Sequence, residues 1–349
     1  MKNAKELLLN WPLWREACAI QGQVVESFHQ EAGTVLKDAC RLRPFKKDLV
    51  EMERNLFSIL FITCTQPFAL TPTKNLFYAR INHCLRALVT GCDNLLDDEY
   101  KEVIPFALEG SGSKFRSVMT IMTADRLIAD LAATEMANDN LSLNKFKELS
   151  RMVMTVLTPS GIEEHEEESL TELAIPTPEE IIEKVHHRKT GLLFRAPLDL
   201  IAGLENGHNK NTLKLTEGLR LFGLGCQLLD DLKDAGADLS ERRYNAVISY
   251  ARHGLEEQER IAISRIEGRR EIPQDEAEQI VTKLPQARQT CQAQAQSFFM
   301  QALVKMTAGL PGFDYPRAQA LTHLVKNSIM QEHNLTNNRN NVVNQELEQ

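Results

Sequence analysis

The chain has 349 residues, 43% of them hydrophobic and 25% charged, with a formal net charge of −8. This is ordinary globular composition with enough apolar residues for a large core, and the acidic balance excludes a general binder of nucleic acid or anionic membranes. The seven cysteines are scattered without a CxxC pair, which excludes a disulfide framework or zinc knuckle and fits a cytoplasmic protein with reduced thiols.

In chain order, the apolar stretch 7–13 is interrupted by Asn10 and Pro12 and followed by Arg15 and Glu16, too short and broken for a signal peptide. No window approaches the length of a membrane span. Apolar residues recur at helical spacing over 49–63, 77–98, 117–136, 213–239 and 287–306, whereas the two-residue alternation of strands is not sustained anywhere. Proline and glycine place breaks near 67–72, 110–112, 159–178 and 203–207. Thr177, Pro178 and Glu180 spell an N-cap, a first-turn proline and a capping box. They predict a helix carrying His186 to Thr190 that kinks or ends near Gly191 and Pro197. The acidic run 163–168 reads as a solvated loop, and the Asn- and Gln-rich tail 333–349 as disordered. One all-helical domain over 1–332 is the simplest organisation.

Two acidic clusters carry the chemistry. In Asp93-Asn94-Leu95-Leu96-Asp97-Asp98, Asp93 and Asp97 stand one helical turn apart, where like charges repel, amid Leu88, Val89, Leu95 and Leu96. In Gln227-Leu228-Leu229-Asp230-Asp231-Leu232-Lys233-Asp234, Asp230, Asp234 and Asp238 form a stripe roughly 12 Å long beside Leu224, Leu228 and Leu229. A solvated acidic helix face accounts for either cluster alone. Two such clusters, each in an apolar setting, call for a cation, and magnesium prefers oxygen ligands shared with substrate phosphates. An EF-hand lacks its central glycine here, and a di-iron bundle its Glu-x-x-His pairs.

Between the clusters lies His186-His187-Arg188-Lys189-Thr190. Arg188 offers a bidentate fork and Lys189 a point charge for diphosphate oxygens. The competing reading is a solvated basic patch answering Glu179, Glu180 and Glu183. Arg242-Arg243-Tyr244 after the second cluster reads either as a segment closing over a diphosphate or as a basic helix cap.

These residues resemble the class I isoprenoid synthase superfamily, especially trans-prenyl diphosphate synthases and class I terpene synthases. Asp93 to Asp97 resembles the DDxxD motif with asparagine in its second position. Gln227 to Asp234 resembles the second motif, Q-x-x-D-D-x-x-D, and the Asp230, Asp234, Asp238 register the terpene synthase triad. Lys189-Thr190 resembles the prenyltransferase Lys-Thr pair, Arg188 a diphosphate-sensing arginine, and 124–127 the helix after the first motif. The matches run in order over roughly residues 40–250.

The resemblance implies an all-α isoprenoid synthase-type bundle around a central apolar cavity, with a homodimer as the assembly. It implies a prenyl diphosphate substrate held by three magnesium ions on Asp93, Asp97, Asp98, Asp230, Asp234 and Asp238. Arg188, Lys189, Thr190, Gln227 and Arg243 would contact the diphosphate. Leu88 and Val89, a turn before Asp93, would limit the depth open to the prenyl chain. Two departures bear on the reaction. Asp38-Ala39-Cys40-Arg41-Leu42-Arg43-Pro44 stands where condensing enzymes carry a Gly-Gly-Lys-Arg segment for isopentenyl diphosphate, and the Arg-Arg-Gly after the first motif is reduced to Lys101. On sequence alone a terpene synthase or cyclase is therefore favoured, the alternatives being a prenyltransferase that uses Arg41, Arg43 and Lys101 and an inactive helical partner subunit.

Overall fold

The computed structural model describes residues 2–96, 100–110, 112–170, 175–205 and 207–329. The helices in chain order are α1 (Lys2–Leu9), α2 (Pro12–Leu36), α3 (Leu56–Cys64), α4 (Pro72–Leu96), α5 (Ser113–Ala137), α6 (Leu143–Glu168) and the single turn α7 (Pro178–Glu180). A π-helix follows at Ile181–Gly191, then α8 (Leu192–Glu205), α9 (Lys210–Glu241), α10 (Ala246–His253), α11 (Glu257–Ser264), α12 (Gln274–Val281), α13 (Pro285–Thr307) and α14 (315–329). Among the described residues there is no strand; the one extended pairing is an isolated antiparallel bridge between Leu42 and Phe106. No described helix is long and apolar enough to cross a membrane.

The chain forms two compact units. One comprises residues 8–157 and 197–212, the other 1–7, 158–196 and 213–349. In the first, α2, α4 and α5 enclose a core of Phe28, Tyr78, Ile81, Leu85, Leu127 and Leu131. Leu88 lies inside this core, 5% exposed, and Val89 at its margin. Helices α4 and α5 approach closely at Gly91, where a Cβ would meet Ile121 at 2.7 Å and the Ser117 carbonyl at 3.2 Å. A side chain there would push α5 away from the turn that presents Asp93. In the second unit, α9 and α13 pack through Leu219, Phe222, Leu228, Phe299 and Leu303, with Phe222 edge-on to Phe299 at 5.1 Å. Phe77 and Phe222 are therefore core residues.

Three elements differ from the sequence expectation. The segment 49–63 is broken into 3-10 turns before α3. Helix α6 runs through Pro159 to Glu168, so the acidic run is helical. It is not a solvated loop, because Glu163 and Glu167 are buried and find counter-charges that outweigh proline's preference for breaking the helix, about 3 kcal/mol. The helix started at Thr177 does have the predicted capping box, but it widens into a π-helix and then continues as α8 through Pro197. A π-turn lengthens the i-to-carbonyl reach by one residue, and Gly191 closes it.

A buried histidine makes the first unit acid-sensitive. His83 lies between Phe28, edge-on at 4.6 Å, and Gln21, whose Nε2 is 3.3 Å from its Nδ1. Burial, aided by Arg86, lowers its pKa to about 3. A group whose folded pKa is depressed below its unfolded value of 6.5 supports the fold fully above that value and progressively less as pH falls toward 3. The wild-type melting temperature should therefore drop more steeply between pH 6.5 and 4 than that of His83→Gln, by on the order of a few kcal/mol in stability; parallel melting curves against pH would refute this.

Candidate functional site

The predicted residues fall in both units: Asp93 in the first, and Arg188 to Thr190, Gln227 to Asp238 and Arg243 in the second. In the first unit Asp93 stands exposed on the last turns of α4. Asp97 and Asp98 lie outside the described residues. Asn94 faces the other way, 4% exposed. Its Oδ1 accepts from the Lys101 N–H at 2.8 Å, and its Nδ2 donates to the Lys101 carbonyl at 3.0 Å. The departure from the DDxxD pattern thus has a physical reason: one side chain must both donate and accept, which an ionised aspartate cannot do.

Arg43 is brought beside the segment after the first cluster. Its N–H donates to the Pro105 carbonyl at 2.8 Å, the Ala107 N–H to the Arg41 carbonyl at 2.8 Å, and its guanidinium pairs with Glu102. The structure therefore joins the stretches carrying Arg41, Arg43 and Lys101, while giving Arg43 an internal counter-charge.

The second unit assembles the rest. Thr190, near the end of the π-helix, donates its hydroxyl to Gln227 Oε1, joining the Lys-Thr pair to the second acidic motif across 37 residues of sequence. On α9, Asp230 is 49% exposed and Asp234 32%. Lys233 lies 3.7 Å from Asp230 and 3.1 Å from Asp234. Asp238 accepts from Asn245 Nδ2 at 2.7 Å. Burial and the neighbouring Asp231 push its carboxyl well above the usual range, against the pull of Asn245.

Asp231, which the sequence reading passed over, is the structural member of the motif. Buried at 2% exposure, it accepts from the Ala246 N–H at 2.7 Å and sits 3.1 Å from His186 Nε2. The Asn245 amide donates to its backbone carbonyl at 2.9 Å. This network ties α9 to the π-helix and to the start of α10. The doubled aspartate was the available signal: adjacent helical positions cannot share a face, so one had to point inward.

The basic residues are paired, and with acids other than those the sequence suggested. Arg188 Nη1 lies 3.1 Å from Glu163 and 3.2 Å from Glu166. Lys189 Nζ lies 2.8 Å from Glu164 and 2.5 Å from Glu167. Arg243 reaches Glu241 at 2.9 Å and Glu164 at 3.9 Å. Burial works against the Lys189 ammonium, but Glu167 and Glu164 outweigh it and its pKa stands above the ordinary lysine value. Burial raises the Glu167 carboxyl in turn, with Lys189 opposing.

Among the described residues no group of three or more His, Cys, Asp or Glu could hold a metal ion by itself. The donor set nevertheless fits magnesium. Asp230 and Asp234 offer partly exposed carboxylate oxygens on one helix face, and this ion is commonly bound through one or two carboxylates with substrate phosphate and water completing its shell.

No protein-family model matches the chain, and no curated protein matches it. Solved structures do. A decaprenyl diphosphate synthase from Rhodobacter capsulatus aligns with TM-score 0.64 and 16% identity over 93% of this chain and 98% of that one. A geranylgeranyl pyrophosphate synthetase from the archaeon Geoglobus acetivorans aligns with TM-score 0.60 and 16% identity over 90% and 98%. A polyprenyl synthase from Caulobacter crescentus, complexed with calcium and isoprenyl diphosphate, aligns with TM-score 0.55 and 15% identity over 90% and 97%. At these identities the likeness speaks for the architecture alone, and the chain carries the all-helical fold of these solved structures.

Proposed function

We propose that the chain is a magnesium-dependent enzyme acting on a prenyl diphosphate, and that condensation with isopentenyl diphosphate is its reaction. The observation that supports the first part is the Thr190–Gln227 hydrogen bond, which links the Lys-Thr pair to the helix that carries Asp230 and Asp234. The second part is supported by the neighbours, which are prenyl diphosphate synthases, and by the pairing of 41–43 with 105–107. This reverses the order in which the sequence alone ranks the two reactions.

In this reading Asp230 and Asp234 would hold magnesium in the second unit, and Asp93 and Asp97 are the proposed metal ligands of the first. Asp238, whose Oδ2 accepts from Asn245, would add its other oxygen to the set on the second unit. When bound, magnesium neutralises charge developing on the departing diphosphate. The chain's own groups do the remainder. Lys189 and Arg188 offer charge-assisted hydrogen bonds to phosphate oxygens, Gln227 orients the Thr190 hydroxyl, and Arg243 adds a third cation. A homodimer is the assembly this reading carries, and the exposed Phe115, Val118 and Met122 on one face of α5 support it.

One observation favours terpene synthesis instead. A second diphosphate needs a second set of cations, and Arg43 is already paired with Glu102. The deciding assay supplies geranyl, farnesyl or geranylgeranyl diphosphate with magnesium, with and without isopentenyl diphosphate. Longer prenyl diphosphates formed only with the second substrate are the expected result. A hydrocarbon or terpene alcohol formed without it would overturn condensation, and no turnover in either arm would overturn both readings.

A further inference from the structure

A buried carboxylate costs several kcal/mol unless a counter-charge meets it. The end of α6 buries two, Glu163 at 3% exposure and Glu167 at 5%, with Glu164 and Glu166 beside them. The counter-charges they meet are the cations that the proposed function gives to the diphosphate. Glu163 and Glu166 take Arg188 at 3.1 and 3.2 Å. Glu164 and Glu167 take Lys189 at 2.8 and 2.5 Å. Glu164 also reaches Arg243 at 3.9 Å, and Glu167 accepts the Tyr244 N–H at 3.3 Å. Carboxylate and phosphate oxygens compete for the same N–H groups with the same geometry.

Resting on the diphosphate-site reading above, we propose that Glu164 and Glu167 are specificity determinants, an in-chain anion that a ligand must displace from Lys189. With Glu241 beside Arg243, five carboxylates face these three cations, so an arriving anion meets no surplus positive charge around them. A monophosphate carries at most two charges and cannot repay the loss of two short ion pairs around a lysine that is 15% exposed. A diphosphate accompanied by magnesium brings both enough negative charge to take over Lys189 and the cations to receive the displaced carboxylates. The acidic end of α6 thus sets a charge threshold that admits diphosphates and rejects inorganic phosphate and phosphomonoesters.

The test measures binding of inorganic diphosphate and of inorganic phosphate, each with magnesium, by calorimetry and by ligand-induced shift of the melting temperature. In the full-length chain carrying Glu164→Gln and Glu167→Gln, diphosphate should bind about tenfold more tightly, the scale of one ion pair removed from the competition. Phosphate should gain more than diphosphate, narrowing the discrimination. Glu164→Gln alone, whose side chain is 18% exposed, provides the same comparison if the double variant does not fold. Glu183→Gln, an exposed site on the π-helix, removes the same formal charge and should change affinity by less than about twofold at physiological salt. Unchanged or weakened diphosphate binding in the Glu164 and Glu167 variants would overturn the threshold and make these residues supports for Lys189. An equal gain in Glu183→Gln would overturn it too, in favour of general charge. The underlying site has its own control: if Lys189→Met leaves diphosphate binding to the wild-type background intact, the diphosphate reading itself fails.

Discussion

Asp230→Ala is expected to lower turnover by on the order of 100- to 1000-fold, the loss typical of removing one preorganised electrostatic group, while leaving the melting temperature almost unchanged. The argument comes from its position. Asp230 is half-exposed and lies 3.7 Å from Lys233, an ion pair that contributes little to stability. Its partly exposed carboxylate can take a cation that bridges to substrate phosphate oxygens. Asp231, the next residue, provides the opposite control. It is buried and accepts the Ala246 N–H at 2.7 Å, so Asp231→Ala strands a buried donor and should cost about 1–3 kcal/mol in stability. Two adjacent aspartates then separate chemistry from folding. Melting curves and turnover with saturating magnesium decide it. Full activity in Asp230→Ala would remove that residue from the metal site, and an unfolded Asp230→Ala would mean that its role is structural.

How far the site could be read from the sequence depends on how local its parts are. The stripe Asp230, Asp234, Asp238 and the neighbouring Gln227 follow from helical spacing alone, and α9 displays them as spaced. The capping box at Thr177 is equally local. The partners of Lys189 were not legible, because they depend on where a helix 22 residues earlier in sequence ends. The run 163–168 contains no apolar periodicity, and Pro159 argues for a break before it. Only the buried pairing of Glu163 and Glu167 with Arg188 and Lys189 makes the helical continuation favourable. The fold class came from the ordered motifs and the lack of strand alternation. The division into two compact units falls beside Pro159 and at Pro197, but α6 and α8 run through these prolines, so neither reads as a linker between units. Asn94 was legible as a departure from DDxxD, but not as a clamp, because its partner is the backbone of a residue seven positions on.

That clamp leads to a substitution that looks like a repair and should act as damage. Asn94→Asp restores the aspartate of the motif. It also replaces the donor to the Lys101 carbonyl with a second acceptor at a position 4% exposed. The carbonyl loses its partner and a carboxylate is buried, together about 2–4 kcal/mol. Asn94→Ala removes both hydrogen bonds without adding charge, so the aspartate variant should be no more stable than the alanine one at pH 7.5. The pH dependence identifies the cause. The introduced carboxyl is stabilised in its neutral form, which can donate O–H to the Lys101 carbonyl, so its folded pKa is raised. Its contribution is therefore fullest below the unfolded value of about 3.9 and is lost as pH rises through the raised folded value. Asn94→Asp should stand closest to wild type near pH 4 and fall behind as pH increases, while Asn94→Ala keeps a constant deficit. Activity should fall in both, because losing the clamp releases Lys101 from the last turn of α4, the helix that carries Asp93. An aspartate variant with wild-type stability at pH 7.5 and tighter magnesium binding would show that position 94 serves as a metal ligand and that the contact with Lys101 is incidental.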